Sequence, residues 1–124
     1  MILVDSCGWI EYFGEGPLAD KYAAIIENAN KEEIVTPTIV IYEVYKKIKS
    51  VKGEEKALKA YAQMSLTVVV ELTSSLSLKA ADISIKKEIA LADAIVAATA
   101  TDYEAQIVTS DQHFRKLDGV KFII

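Results

Sequence analysis

The sequence predicts an α/β fold of three layers, α/β/α, built on a central parallel sheet of four to five strands. One observation is a set of short apolar runs, Ile2-Leu3-Val4, Ile34-Val35-Thr36, Thr67-Val68-Val69-Val70, Gln106-Ile107-Val108-Thr109 and Lys121-Phe122-Ile123-Ile124, of the kind that forms strands buried on both faces. Another is that segments with helical spacing alternate with these runs, as parallel strands joined by right-handed crossovers require. No repeat, linker or low-complexity stretch divides the 124 residues, so a single domain over 1-124 is expected, long enough to bury a core.

Taken in order, the first strand ends at Asp5-Ser6-Cys7-Gly8, where small polar residues turn the chain and leave Asp5 at a strand's carboxyl end. Trp9 to Phe13 reads as a short aromatic helix stopped by Gly14 and Gly16-Pro17; Leu18, Tyr22, Ile25, Ile26 and Ala29 then recur at helical spacing through Asn30. Pro37 closes the second strand, and Thr38 reads as the cap of a helix running to the region of Val51 with Ile39, Ile41, Tyr42, Tyr45 and Ile48 as its apolar positions. Glu43 rides on this helix one turn past its start. Gly53 breaks the pattern, and a further helix over Glu54 to Met64 turns Ala57, Leu58 and Tyr61 inward. After the third strand, Thr73 begins a long helical run with Leu76, Leu78, Ala80, Ile83 and Ile85 among its apolar positions, which passes through Lys86-Lys87-Glu88 into the segment Leu91 to Ala100.

That last segment is the most informative in the chain. Ala92, Ala94, Ala97, Ala98 and Ala100 lie all round the helix, so nearly every face can approach neighbouring backbone, as in a buried core helix. Asp93 therefore needs a reason. Near a helix start it accepts backbone N–H groups and gains about 0.3–1 kcal/mol from the helix dipole. Alternatively it joins acids from distant parts of the chain around a divalent ion.

Composition narrows the chemistry. Hydrophobic residues make up 52% and charged residues 26%, a globular balance, and the net charge of −4 argues against a chain held to nucleic acid by overall charge. Cys7 is the only cysteine and His113 the only histidine, which excludes an internal disulfide or a multi-cysteine zinc site and leaves carboxylate oxygen as the plentiful metal-ligand chemistry. No uncharged run approaches the roughly 20 residues of a membrane span, and Asp5 follows Met1 to Val4 without a basic leader, so an unexported, cytoplasmic protein is expected.

In a parallel sheet, ligands sit beyond the carboxyl ends of the strands where strand order reverses, and Asp5 and Asp111 both fall just past strand ends. Each also has a plainer reading, Asp5 as a turn former and Asp111 as the cap of a short helix over Gln112 to Leu117. Glu43 reads either as a surface partner of Lys47, worth about 0.2–0.5 kcal/mol, or as a carboxylate on a poorly solvated face that needs a cation. If Asp5, Glu43, Asp93 and Asp111 converge, they raise one another's pKa, and Mg2+ or Mn2+ makes the arrangement reasonable. Such an ion, with few carboxylates and a phosphate, suits phosphodiester hydrolysis. Asp82, expected to pair with Lys79 and Lys86, and Asp102, Glu104 and Asp118 read as solvated surface.

The segments Ile2-Leu3-Val4-Asp5-Ser6, Pro37-Thr38-Ile39-Val40-Ile41-Tyr42-Glu43, Leu91 to Ala100 and Ile107-Val108-Thr109-Ser110-Asp111-Gln112-His113-Phe114 resemble, in order and interval, the four motifs of PIN-domain ribonucleases, VapC-type toxins of toxin–antitoxin pairs above all. The resemblance spans residues 2 to 114. It implies a PIN-like fold and a Mg2+- or Mn2+-dependent endoribonuclease whose Asp5, Glu43, Asp93 and Asp111 form the catalytic, metal-binding pocket, supported by the hydroxyls of Ser6 and Thr109. It gives Ser110 no chemistry and His113 a structural or surface role. It also implies a homodimer and a cognate antitoxin laid along an apolar groove that uses Trp9, Tyr12 and Phe13.

Lys46, Lys47, Lys49, Lys52, Lys56 and Lys59 cluster just beyond Glu43 and read either as an RNA-binding rim or as a solvated helix face diluted by Glu54 and Glu55. Two other functions remain open on the residues alone: a phosphatase-like hydrolase with Asp5 as nucleophile, disfavoured by Cys7 where a second aspartate is usual, and a non-catalytic RNA-binding or signalling module.

Overall fold

The computed structural model describes residues 1–124 as five parallel strands and six α-helices. The strands are β1 (Ile2–Val4), β2 (Ile34–Pro37), β3 (Val68–Val70), β4 (Gln106–Thr109) and β5 (Lys121–Phe122). The helices are α1 (Ser6–Gly14), α2 (Ala19–Ile26), α3 (Thr38–Lys52), α4 (Glu54–Met64), α5 (Ser74–Lys87) and α6 (Leu91–Asp102). Two short 3-10 turns, Lys31–Glu33 and Gln112–Lys116, precede β2 and β5.

Strand order is β3-β2-β1-β4-β5, every neighbouring pair parallel. The chain builds outward from β1 to β3, then returns to the other side of β1 to lay down β4. The reversal lies between β1 and β4, where Leu3 pairs with Ile107 and Val4 with Val108, and the Asp5 amide extends the ladder by donating to the Val108 carbonyl at 3.1 Å. At this seam the two flanking crossovers diverge and leave a crevice.

The main core packs Leu3, Val4, Trp9, Tyr22, Val35, Val44, Val96, Val108 and Phe114 around the sheet, and a smaller cluster of Leu76, Ala80, Ala94, Ile95 and Ala98 joins α5 to α6. In α6 seven consecutive residues, Ala94 to Ala100, are buried, as the all-round alanine pattern requires. Gly8 is needed for close approach: a Cβ there would stand 2.5 Å from the Tyr22 ring and 2.8 Å from Val4.

Several local expectations are corrected. The first helix starts at Ser6 rather than Trp9, because Asp5 caps it. Thr38 is the first helical residue behind Pro37 and makes no side-chain cap. Tyr42, Leu58, Tyr61, Leu78 and Ile85 are exposed: the buried stripes of α3, α4 and α5 are narrower than their apolar content. The long run from Thr73 is two helices. Glu88 adopts a left-handed conformation (φ 54°), and the carbonyls freed at the break are met by side chains, Ile89 by the Ser84 hydroxyl at 2.7 Å and Glu88 by Lys116 Nζ at 3.1 Å. Lys79 pairs at 2.7 Å with Asp102 rather than Asp82.

Candidate active site

Four elements deliver the four predicted acids to the carboxyl edge of the sheet. Asp5 ends β1 and caps α1; Asp111 follows β4 and caps the Gln112–Lys116 turn. α3 starts at the carboxyl end of β2 and carries Glu43 in its second turn, its buried stripe Val40, Val44 and Ile48 fixing the helix against the core. α6 runs back toward the start of β4, so its amino end, with Asp93 in the first turn, also lies at this edge.

Asp5 is buried, at 4% exposure, and held at both oxygens. Oδ1 accepts from the Ser6 amide at 2.7 Å; Oδ2 accepts from the Thr109 hydroxyl at 3.2 Å and the Cys7 thiol at 3.5 Å. Thr109 Oγ1 in turn accepts from the Asp111 amide at 2.9 Å, so one buried hydroxyl ties Asp5 to the backbone of Asp111. Asp111 Oδ1 accepts from the His113 amide at 2.8 Å and lies 2.9 Å from His113 Nδ1.

The electrostatics record the convergence. Burial pushes Asp5 up to about 6, against the Ser6 amide, Thr109 and Cys7, with Glu43 adding to the rise. Glu43 is raised by burial, against the Ser6 hydroxyl, and by the charges of Asp93 and Asp111. Asp93 is raised by burial and by Asp111, with His113 pulling the other way. Asp5, Glu43 and Asp93 are thus each raised in part by the charge of another of the four acids. Even so, no three acidic, histidine or cysteine side chains form a ready-made metal shell. An all-oxygen set, electrostatically unsettled and spaced apart, fits a hard ion such as Mg2+, which keeps several waters and takes few protein ligands.

Of the other predicted residues, Ser6 and Thr109 sit inside this network, whereas the lysines divide. Lys46 and Lys47 border a hollow of about 370 Å³ with Ser6 and Glu43. Lys49 instead pairs with Glu54 at 3.4 Å, and Lys52, Lys56 and Lys59 line a separate hollow beside Phe13 and Glu15. The six do not form one rim. Trp9 is fully buried, stacked on Phe13 at 5.5 Å, and presents nothing to a partner; Tyr12 and Phe13 remain partly exposed.

Sequence reasoning missed Cys7, Ser110 and Tyr22. The buried Tyr22 hydroxyl donates to Ser110 Oγ at 3.0 Å, and Ser110 lies 3.5 Å from the Cys7 sulfur, a relay that braces the β4 turn against Asp5 from α2. A tyrosine in an apolar helical stripe carries no sign of it; the only available signal was the run of small polar residues beside both acids.

A family model described as "PIN domain" matches residues 2–120. The chain belongs to the PIN domain family. No curated protein sequence matches this PIN domain. Solved structures match its fold at low identity. A toxin–antitoxin complex from Klebsiella pneumoniae superposes with a TM-score of 0.81 at 19% identity, over 97% of this chain and 95% of the other. Mycobacterium tuberculosis VapC20, described as a sarcin-ricin loop cleaving toxin, gives 0.74 at 17% identity over 86% and 85%. Rickettsia felis VapBC2, bound to a DNA fragment of its promoter, gives 0.77 at 18% over 99% and 98%. The PIN domain fold explains why the acids meet where they do: its strand order reverses at the β1–β4 seam.

Proposed function

We propose that this PIN domain is a metal-dependent endoribonuclease acting as the toxin of a VapC-type toxin–antitoxin pair. The observation that carries the reading is the meeting of Asp5, Glu43, Asp93 and Asp111, from four elements, at the sheet's switch point, with burial and mutual repulsion raising three of them. In this reading the four carboxylates hold Mg2+ or Mn2+. When bound, the ion makes water more acidic and neutralises charge on the phosphoryl oxygens. The chain's own residues do the positioning: Thr109 and the Ser6 amide fix Asp5, the Ser6 hydroxyl steadies Glu43, and the rigid α6 fixes Asp93. Hydrolysis adds a water oxygen to phosphorus and breaks one P–O bond, the departing ribose oxygen taking up a proton.

The similar solved toxin–antitoxin complexes support a cognate antitoxin as partner, with the partly exposed Tyr12 and Phe13, rather than Trp9, as its apolar footing. A homodimer is part of the reading: Leu72, Ile85 and Leu91 stand exposed around an apolar hollow of about 350 Å³ between α5 and α6. No helix is long and apolar enough to cross a membrane, and the setting we assign is the cytoplasm.

The test is cleavage of a mixed RNA pool by the purified protein with Mg2+ or Mn2+, with EDTA, and by Asp93→Asn. Cleavage that requires the metal and vanishes in Asp93→Asn is the expected result. Equal cleavage by Asp93→Asn, or none by the parent with either ion, overturns the reading.

A further inference from the structure

The acids are flanked on two sides. On the α3 side lies the hollow bordered by Lys46 and Lys47. On the other side a second hollow, of about 460 Å³, opens between the α5–α6 break and the turn after β4, with Asp93 at its inner wall and Gln112, His113, Arg115 and Lys116 around it. Arg115 is the only arginine in the chain and His113 the only histidine. Beside the carboxylates of Asp93 and Glu88, which also line this hollow, Arg115 and Lys116 bring two fixed cations to the site in a protein of net charge −4.

The geometry holds these groups in place. Lys116 Nζ is tethered to the Glu88 carbonyl at 3.1 Å, at the rim formed by the helix break. Arg115 Nε is bound by the Gln112 side chain, which restrains the guanidinium while its two terminal nitrogens make no hydrogen bond to protein. A restrained guanidinium with two free nitrogens is a fork for a phosphate, and a neighbouring ammonium adds charge without demanding geometry.

Resting on the ribonuclease reading, we propose that Arg115 and Lys116 bind a backbone phosphate of single-stranded RNA next to the one being cleaved, so that the strand crosses the acids from the Lys46–Lys47 hollow to this one. Charge complementarity decides the occupant. A polyanion laid over four carboxylates is repelled at the centre, and cationic walls on both sides hold it in register there. The Asp93 side of the cleft thereby reads the strand's position, which the α3 lysines alone leave free to slide.

The test uses Asp93→Asn as a non-cleaving background and fluorescence anisotropy of a labelled single-stranded RNA titrated across salt concentrations. Arg115→Ala with Lys116→Ala removes both groups from exposed positions; Lys31→Ala with Lys121→Ala removes the same charge from other elements. At about 0.7 in slope per neutralised phosphate on a single strand, losing the one phosphate the pair holds flattens the log–log salt slope by about 0.7 and weakens binding about 5-fold at 0.1 M salt, a difference that closes toward 1 M. That result, with the control pair at the background's affinity and slope, is expected. If both pairs behave alike while the parent still cleaves RNA, the Arg115–Lys116 site falls and the ribonuclease reading stands. If the parent neither binds nor cleaves RNA, both fall together.

Discussion

Helices α3 and α6 both start at the carboxyl edge of the sheet and each brings one acid to the site, yet they are built differently. α6 is buried continuously from Ala94 to Ala100, and Asp93 sits in its first turn, where the helix dipole favours a carboxylate. α3 buries only Val40, Val44 and Ile48, a stripe one residue in four, and leaves Tyr42, Lys46 and Lys47 to solvent around Glu43. The first arrangement fixes an acid and nothing else. The second holds an acid and cations on one element, because a helix with a single buried stripe keeps its other faces for function.

The sharpest way to break that comparison is to change the acids themselves. Asp93→Asn and Glu43→Gln are each expected to lower metal-dependent RNA cleavage at least about 100-fold, a loss of about 3 kcal/mol in transition-state stabilisation. The conservative swaps separate the helices: Asp93→Glu should be as damaging as Asp93→Asn, since packed α6 cannot shift to absorb a methylene, whereas Glu43→Asp on half-exposed α3 should keep measurable cleavage. Equal residual rates for the two swaps would show that packing does not set the difference.

Asp5, the acid between them, ties the site to stability. Burial pushes its carboxyl up to about 6, above the ordinary value of 3.8, so the folded protein binds this proton more tightly than the unfolded chain. In metal-free protein the stabilisation is present below about pH 4 and is lost as pH rises to about 6, a change of about 3 kcal/mol at 1.36 kcal/mol per unit. Glu43 and Asp93 shift in the same direction. Denaturant unfolding in EDTA should therefore give greater stability at pH 5 than at pH 7, and Asp5→Asn should recover part of the difference at pH 7 while abolishing cleavage. A stability that rises from pH 5 to pH 7 in the parent would contradict this electrostatic account.

The smallest effects concern packing alone. Ala98, at 1% exposure in α6, has no room for a larger side chain, and Ala98→Leu should cost about 1–3 kcal/mol; Tyr42→Ala on α3 should stay within about 0.5 kcal/mol. Thermal or urea unfolding of the two variants measures the contrast directly.

Much of this was legible in the sequence, for identifiable reasons. Short apolar strands and an alanine-rich helix are patterns of period and size, and burial follows from them with little help from the rest of the chain. Asp5 and Asp111 announced themselves by standing one and two residues past strand ends. The helix break at Glu88 did not, since the apolar spacing continues across it and neither glycine nor proline marks it; its carbonyls are satisfied by Ser84 and by Lys116 from a distant segment. The family resemblance put Trp9 in a partner groove, and the aromatic run by itself left core and partner surface both open, since it looks the same whether it faces solvent or core.

By itself, then, the sequence determined the strand and helix alternation, the buried character of α6, and the carboxylate chemistry left by one cysteine and one histidine, because these depend on composition and local period. Only the tertiary structure decided that Thr109 bridges Asp5 to Asp111, that Tyr22 and Ser110 brace the same turn, that two of six clustered lysines border the acids, and that Arg115 and Lys116 face them from the other side. Those relations join residues up to 104 positions apart, and it is strand order, not local propensity, that sets their distances.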